Sequence, residues 1–216
     1  MKQNDFKNLR TNEEFMMDEY ELTMSNLYLL DGLKDQKVAF DVFYRRNPDK
    51  GGYAVFAGLE HIISYIENLK FTDEDIEYLK EYGKYSEEFL TYLKDFKFTG
   101  DIYSIKEGTV MYPNTPIMTV VAPMIEAQIV ETALLLRVNH QSLIATKARR
   151  MVYAANGCPI SDFGARRAHG DMSAVIGARS AYIGGVNSTA TVEAGKLFGI
   201  PIGGTMAHSF VMIYKD

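Results

Sequence analysis

Two stretches of this chain carry side chains suited to chemistry. The first is Ser161-Asp162-Phe163-Gly164-Ala165-Arg166-Arg167-Ala168-His169. It follows the short apolar run Cys158-Pro159-Ile160 and precedes a helical pattern that begins near Asp171. Gly164 permits a sharp turn because it has no Cβ to restrict φ. An aromatic ring can stack on a flat molecule, a guanidinium can grip a carboxylate with two hydrogen bonds, and a helix N-terminus favours phosphate. Together they suit a planar anionic ligand; the alternative is a strand-to-helix loop with solvated arginines. The second stretch is Gly203-Gly204-Thr205-Met206-Ala207-His208-Ser209. Its glycines bare backbone N–H groups that can hold phosphate oxygens. His208 can act as a covalent nucleophile toward a phosphoryl group, or it can be a capping or core histidine. Lys147 and His169 are further candidates for phosphate binding.

Other chemistries fit less well. Asp162-Phe163-Gly164 matches a kinase tripeptide, but neither the glycine-rich loop nor the catalytic loop of kinases precedes it. No nucleophile elbow supports a Ser/His/Asp triad. His169 and Asp171 have weak spacing for metal ligation.

The elements that must position these residues fall into two grammars. A helix is expected over 18–30, ended by Asp31-Gly32, with Tyr20 reading as an ordinary core aromatic from periodicity alone. Strands over 38–44 and 53–56 flank the turn formers Asn47-Pro48-Asp49-Lys50-Gly51-Gly52, which predicts a hairpin with Arg45 and Arg46 solvated at its mouth. Helices follow over 59–69, from Thr72 to Gly83, and from Ser86 to Phe96, with early acids suited to the N-terminal dipole. Short strands over 99–121 predict an antiparallel meander. Pro123 opens a long helix that runs to about residue 155, with a break expected near Asn139-His140, and Asn156-Gly157 stops it. The apolar run over 133–136 reads as buried.

From Pro159 the pattern changes. Strands over 159–162, 183–186 and 200–203 alternate with helices over 173–182 and 189–198, which predicts parallel βα units and the start of an α/β barrel. The C-terminal ends of barrel strands carry the chemistry. Asp162-Phe163, Asn187-Ser188 and Gly204-Thr205 should therefore face one mouth. The expected fold is α/β: a mixed N-terminal domain over 1–135 with antiparallel strands, then a linking helix and the first strands of an irregular, incomplete barrel over 136–216.

The totals are consistent with this. The chain has 216 residues, 47% apolar and 24% charged, with a net charge of −5. Residues 141–216 hold eight Lys/Arg against four Asp/Glu, whereas 1–140 hold 15 against 24. A nucleic-acid-coating protein would carry a strong basic excess overall; a basic last third suits a local anionic ligand. Cys158 is the single cysteine, which excludes an internal disulfide and a cysteine-rich zinc site. No apolar run spans a bilayer, residues 1–10 lack the features of a signal peptide, and a cytoplasmic location is the default expectation.

Five segments in order resemble the nicotinate phosphoribosyltransferase family: Asp18-Glu19-Tyr20-Glu21-Leu22-Thr23-Met24, then Tyr53-Ala54-Val55-Phe56-Ala57-Gly58-Leu59-Glu60, Ser142-Leu143-Ile144-Ala145-Thr146-Lys147, Asp162-Phe163-Gly164-Ala165-Arg166-Arg167-Ala168, and Gly204-Thr205-Met206-Ala207-His208-Ser209. The resemblance implies a type II phosphoribosyltransferase fold. It implies that nicotinate and phosphoribosyl pyrophosphate give nicotinate mononucleotide and pyrophosphate, with ATP hydrolysis coupled and Mg2+ required, in pyridine nucleotide salvage toward NAD. It implies that Arg166 binds the nicotinate carboxylate and that Phe163 stacks on one face of the pyridine. It implies that Tyr20 of the partner subunit stacks on the other, in a homodimer with shared sites, that Arg167, Gly204 and Thr205 belong to the same substrate pocket, and that His208 takes phosphate from ATP.

A full barrel takes about 250 residues, and this chain offers about three strands of one. The expectation is the front portion of a longer enzyme, or a chain completed by a second one. Two rivals remain: a relative acting on nicotinamide or quinolinate, and a non-catalytic assembly protein. The paired arginines favour an acid over an amide, and the motif order favours nicotinate over the dicarboxylate.

Overall fold

A computed structural model describes residues 13–214; the expectation for residues 1–10 lies outside them. Two compact units emerge. One gathers the described residues up to Val42 with Glu60–Ser104 and Met118–Arg137; the other gathers Phe43–Leu59, Ile105–Ile117 and the described residues from Val138. The last crossing lies between Arg137 and Val138, and the segments 43–59 and 105–117 also belong to the second unit.

The first unit has helix α1 (Glu19–Leu30), strand β1 (Lys37–Phe43), most of helix α2 (Leu59–Asn68), and helices α3 (Asp73–Tyr82) and α4 (Glu87–Lys94). Strands β3 (Asp101–Ser104) and β5 (Pro116–Pro123) pair antiparallel, Asp101 opposite Val121, in a three-stranded sheet ordered β1-β5-β3. The helix starts are chemically explicit. Thr72 and Asp75 form a reciprocal capping box at α3, and the Ser86 hydroxyl accepts from the Phe89 N–H at α4. Gly83 closes α3 at φ 73°, a left-handed value that favours glycine. Phe71, Phe89, Leu93 and Phe96 are buried, and the Phe71 and Phe96 rings meet edge to face at 5.7 Å.

The expected hairpin does not form. β1 joins β5, whereas β2 (Ala54–Val55) pairs antiparallel with β4 (Val110–Met111) in the second unit. The physical reason is in the burial: Ala54, Val55, Phe56 and Ala57 are all buried, so this strand is covered on both faces and has no solvent side. Helix α6 (Glu131–Ala154) covers its second edge with hydroxyls in place of another strand. Thr146 Oγ1 accepts from the Val55 N–H at 2.8 Å, and Ser142 Oγ, one turn earlier, accepts from the Ala57 N–H at 3.0 Å. Buried strand amides are thereby satisfied without a ladder. The meander is likewise split between two antiparallel pairings, because β4 leaves β3 and β5 to pair with β2.

The long helix breaks, but at Val130 and not near Asn139-His140. Helix α5 (Met124–Ile129) ends there, and α6 then runs uninterrupted to Ala154. At the break the buried Glu21 carboxylate accepts the Thr132 N–H at 2.7 Å, a favourable place for an acid at a helix start. The run over 133–136 is not buried throughout: Ala133 and Leu134 are, but Leu135 and Leu136 are each 45% exposed. Four consecutive helical residues span more than one face.

After Asn156 and Gly157, both at positive φ, the parallel pattern begins as expected. Strand β6 (Ser161–Asp162) pairs parallel with β7 (Ser188–Thr189), and Thr189 bridges parallel to Ile202. Helices α7 (Asp171–Ile183) and α8 (Val192–Phe198) make the crossovers, and α9 (His208–Ile213) follows. The middle strand starts later than expected, since α7 runs to Ile183 and turns at Gly184-Gly185. α7 packs Ala181 against Ala148 of α6 and Ala178 against Ala194 of α8. A Cβ at Gly184 would lie 2.6 Å from the Ala145 carbonyl oxygen, so the α6 and α7 backbones nearly touch there. Among the described residues no helix is long and apolar enough to cross a membrane.

Candidate active site

The tips of the parallel segments surround a cavity of about 670 Å3. One wall is the loop after β6, which contributes Phe163, Ala165 and Arg166; the facing wall is the strip Ile202 to Ala207; Ala190 and Val192 come from beyond β7. The loop has a defined shape. Asp162 Oδ1 accepts the Gly164 N–H at 2.9 Å, and a short 3-10 turn over Ala165–Arg167 follows, with the Arg167 N–H bonded to the Gly164 carbonyl at 2.8 Å. Phe163 is 47% exposed. Arg166 is also exposed and makes no hydrogen bond or ion pair among the described residues. An unpaired guanidinium beside an accessible ring is a receptor for a planar carboxylate.

Gly203 and Gly204 leave backbone accessible on the facing wall, and Thr205 adds a hydroxyl. The structure therefore brings Phe163, Arg166, Gly204 and Thr205 together. Arg167 is exposed and outside the cavity lining, so only the first of the adjacent arginines borders the cavity. His208 is exposed at the start of α9, directly after the lining residue Ala207. His169 is exposed before α7, and Lys147 on α6 pairs with Asp49 at 3.5 Å; neither lines the cavity.

Tyr20 lies on α1, in the first unit. Burial, then its hydrogen bond to Glu131, pushes its hydroxyl up to about 12, so it is a neutral phenol at physiological pH. The carboxylate of Asp162 is engaged at both oxygens, with Thr189 Oγ1 donating to Oδ2 at 3.0 Å, which disposes of the kinase-like role. Among the described residues no three His, Cys, Asp or Glu side chains converge to hold a metal ion.

Ala190, Val192, Ile202 and Met206 were not singled out in the sequence. The strand-tip rule named Asn187-Ser188 for the middle strand, but β7 ends at Thr189, three residues later than the apolar pattern over 183–186 suggested, which moves the tip to Ala190.

A family model described as the nicotinate phosphoribosyltransferase (NAPRTase) N-terminal domain matches residues 15–139. The chain belongs to the nicotinate phosphoribosyltransferase family. A nicotinate phosphoribosyltransferase of Bacillus subtilis (strain 168) is 50% identical over 199 residues, which cover 92% of this chain and 41% of that one. One from Caenorhabditis elegans is 38% identical over 208 residues, covering 94% of this chain and 37% of its own. The crystal structure of human nicotinic acid phosphoribosyltransferase superposes with a TM-score of 0.85 at 31% identity, over 92% of this chain and 40% of that chain. A nicotinate-nucleotide pyrophosphorylase from Pyrococcus furiosus shares the fold, with a TM-score of 0.75 at 24% identity. The chain thus spans about two fifths of the length of these nicotinate phosphoribosyltransferases. The family's N-terminal domain match ends before the cavity residues, which sit on the parallel segments that follow it.

Proposed function

We propose that this cavity is the nicotinate pocket of a nicotinate phosphoribosyltransferase, which joins nicotinate to phosphoribosyl pyrophosphate and releases nicotinate mononucleotide and pyrophosphate. The observation that carries the reading is Arg166, an exposed guanidinium without an anionic partner among the described residues, lining one cavity with the ring of Phe163.

The chemistry follows from the ligand. A two-point grip on the carboxylate by Arg166, with the pyridine plane against Phe163, fixes the in-plane direction of the ring nitrogen's lone pair. That lone pair forms the bond to the ribose carbon as the bond to pyrophosphate breaks, and the bonding electrons leave with the pyrophosphate. The nitrogen carries no proton that must be removed, so no general base is required. The gain is positional, drawn from the orientation effect. Nicotinamide presents an N–H2 donor where the acid presents an acceptor, which a donor-only guanidinium disfavours. Quinolinate adds a second carboxylate beside the reacting nitrogen.

ATP coupling runs through His208. The terminal phosphoryl group moves to the imidazole, ADP leaves, and water later releases phosphate from the histidine. The exposed position of His208, next to the lining residue Ala207, supports this role. Magnesium accompanies the phosphorylated substrates, and no step is routed through it. A homodimer with Tyr20 of the partner subunit over the second face of the ring, and a cytoplasmic location, belong to the same reading.

Losing a charge-assisted hydrogen-bond pair costs about 1.5–3 kcal/mol, a factor of roughly 10 to 150 in affinity. Arg166→Ala should weaken nicotinate binding by that factor in isothermal titration of the full chain. Arg166→Lys should recover only part of it, because the ammonium keeps charge without the fork. Wild-type affinity in Arg166→Ala removes the guanidinium from the pocket, and preference for nicotinamide or quinolinate in the same titration overturns the acid assignment. Incubation with γ-labelled ATP should leave an acid-labile label that His208→Ala abolishes; label persisting in that variant ends the role of His208.

A further inference from the structure

We propose that Asp162 and Thr189 form a positioning clamp that holds the two walls of the cavity at the spacing a planar ligand needs. Thr189 is 1% exposed and lies on the middle parallel strand. Its backbone and its side chain serve different walls. The backbone N–H donates to the Pro201 carbonyl and the backbone carbonyl accepts the Gly203 N–H, both at 3.0 Å, which ties the glycine-bearing wall to the strand. The hydroxyl donates to Asp162 Oδ2 at 3.0 Å and accepts the Thr191 N–H at 3.1 Å.

Asp162 passes the constraint to the opposite wall. Its second oxygen accepts the Gly164 N–H at 2.9 Å, and its backbone carbonyl accepts the Ala190 N–H at 2.8 Å. Phe163 sits between the two anchored residues, and Arg166 follows one short turn later. Neither Asp162 nor Thr189 lines the cavity. They act through Phe163 and Arg166, and through Gly203.

The donor and acceptor inventory explains why these two residue types are needed. Asp162 must accept at both oxygens at once, which a carboxylate does and an amide does not. Thr189 must donate one bond and accept another, which a hydroxyl does and a methyl does not. Thr189→Val keeps the shape and removes both bonds, leaving the Thr191 N–H and one Asp162 oxygen without their partners. Thr189→Ser keeps both bonds.

The ligand arm of the test rests on the nicotinate reading; the exchange arm does not. Amide hydrogen exchange of the full chain should show Gly164 and Thr191 exchanging roughly five- to tenfold faster in Thr189→Val, the equivalent of one net hydrogen bond. Amides of α7 should keep their wild-type rates, and Thr189→Ser should restore the two loop amides. In titration, Thr189→Val should weaken nicotinate binding by a similar factor, and Thr189→Ser should restore it. Asp162→Ala, which removes both acceptors, should reproduce the Gly164 exchange and the nicotinate effect if Thr189→Val fails to fold. Unchanged exchange at Gly164 and Thr191, or a uniform rise across α7, overturns the clamp. Faster loop exchange with unchanged nicotinate affinity also overturns it as a positioning device. If the wild type binds no nicotinate while the exchange pattern appears, the substrate reading falls and the clamp stands.

Discussion

Replacing Glu21 by glutamine should change how the stability of the protein depends on pH. Glu21 is fully buried on α1; Thr132 N–H donates to one carboxylate oxygen, and the other has no partner among the described residues. Burial raises its carboxyl from the ordinary 4.5 to about 7, against the opposing pull of the Thr132 hydrogen bond. Between those values the folded protein keeps a proton that the unfolded chain has lost. Stability from the protonated form is therefore complete below pH 4.5 and declines as pH rises through about 7. At 1.36 kcal/mol for each pH unit, the full loss is about 3 kcal/mol.

Glutamine cannot ionise, so it removes this loss, and its carbonyl can still accept from Thr132. Its new N–H2 group faces the site of the unpartnered oxygen and adds a pH-independent cost. The diagnostic quantity is thus the slope with pH, not the offset. Thermal melts of wild type and Glu21→Gln at pH 5 and pH 8 should show the variant gaining on wild type by roughly 6–12 °C across the range. A constant difference between the two proteins at both pH values would refute a buried, proton-holding Glu21.

Thr146→Val should cost about 1–3 kcal/mol in denaturant unfolding, because it leaves the buried Val55 N–H without its acceptor at 2.8 Å; Thr146→Ser should cost far less. Glu107 accepts both the Gly58 and Leu59 N–H groups and pairs with Arg179 at 2.7 Å. Arg179→Met should cost roughly 1.5–3 kcal/mol at neutral pH by removing the charged partner of that carboxylate, which keeps its two backbone donors. Burial works against ionisation of Glu107, but Arg179 and the two backbone donors outweigh it and hold the carboxyl below its usual range. Its stabilising contribution is therefore present at neutral pH and lost as the solution is acidified, so the gap between Arg179→Met and wild type should narrow in acid melts.

Local chemistry was readable directly from the residues. The helix start at Thr72, the serine cap at Ser86 and the stop at Asn156-Gly157 depend on neighbours within a few positions, and the alternation of short strands and helices after Pro159 is itself a local pattern, although the strands it pairs lie 27 positions apart. Phe163, Gly204 and Thr205 were grouped by the rule that the tips of parallel strands converge, and Arg166 follows Phe163 in the same loop. The five ordered motifs were enough to indicate the family, which the match over residues 15–139 bears out.

What depended on distant partners was not readable. The segments 38–44 and 53–56 look like a hairpin because turn formers join them, but β2 is claimed by β4 on one edge and by Ser142 and Thr146 on the other. The helix break sits at Val130, where a carboxylate more than a hundred positions away caps the new helix, and not where the polar pair Asn139-His140 suggested. Ser142 and Thr146 entered as parts of a motif, and their work as a substitute strand edge emerged only from the packing. Hydrophobic periodicity records which face of an element is covered; it does not record by what, since a buried donor can donate to any acceptor that arrives within about 3 Å in line with its N–H. The identity of that acceptor is a property of the folded chain alone.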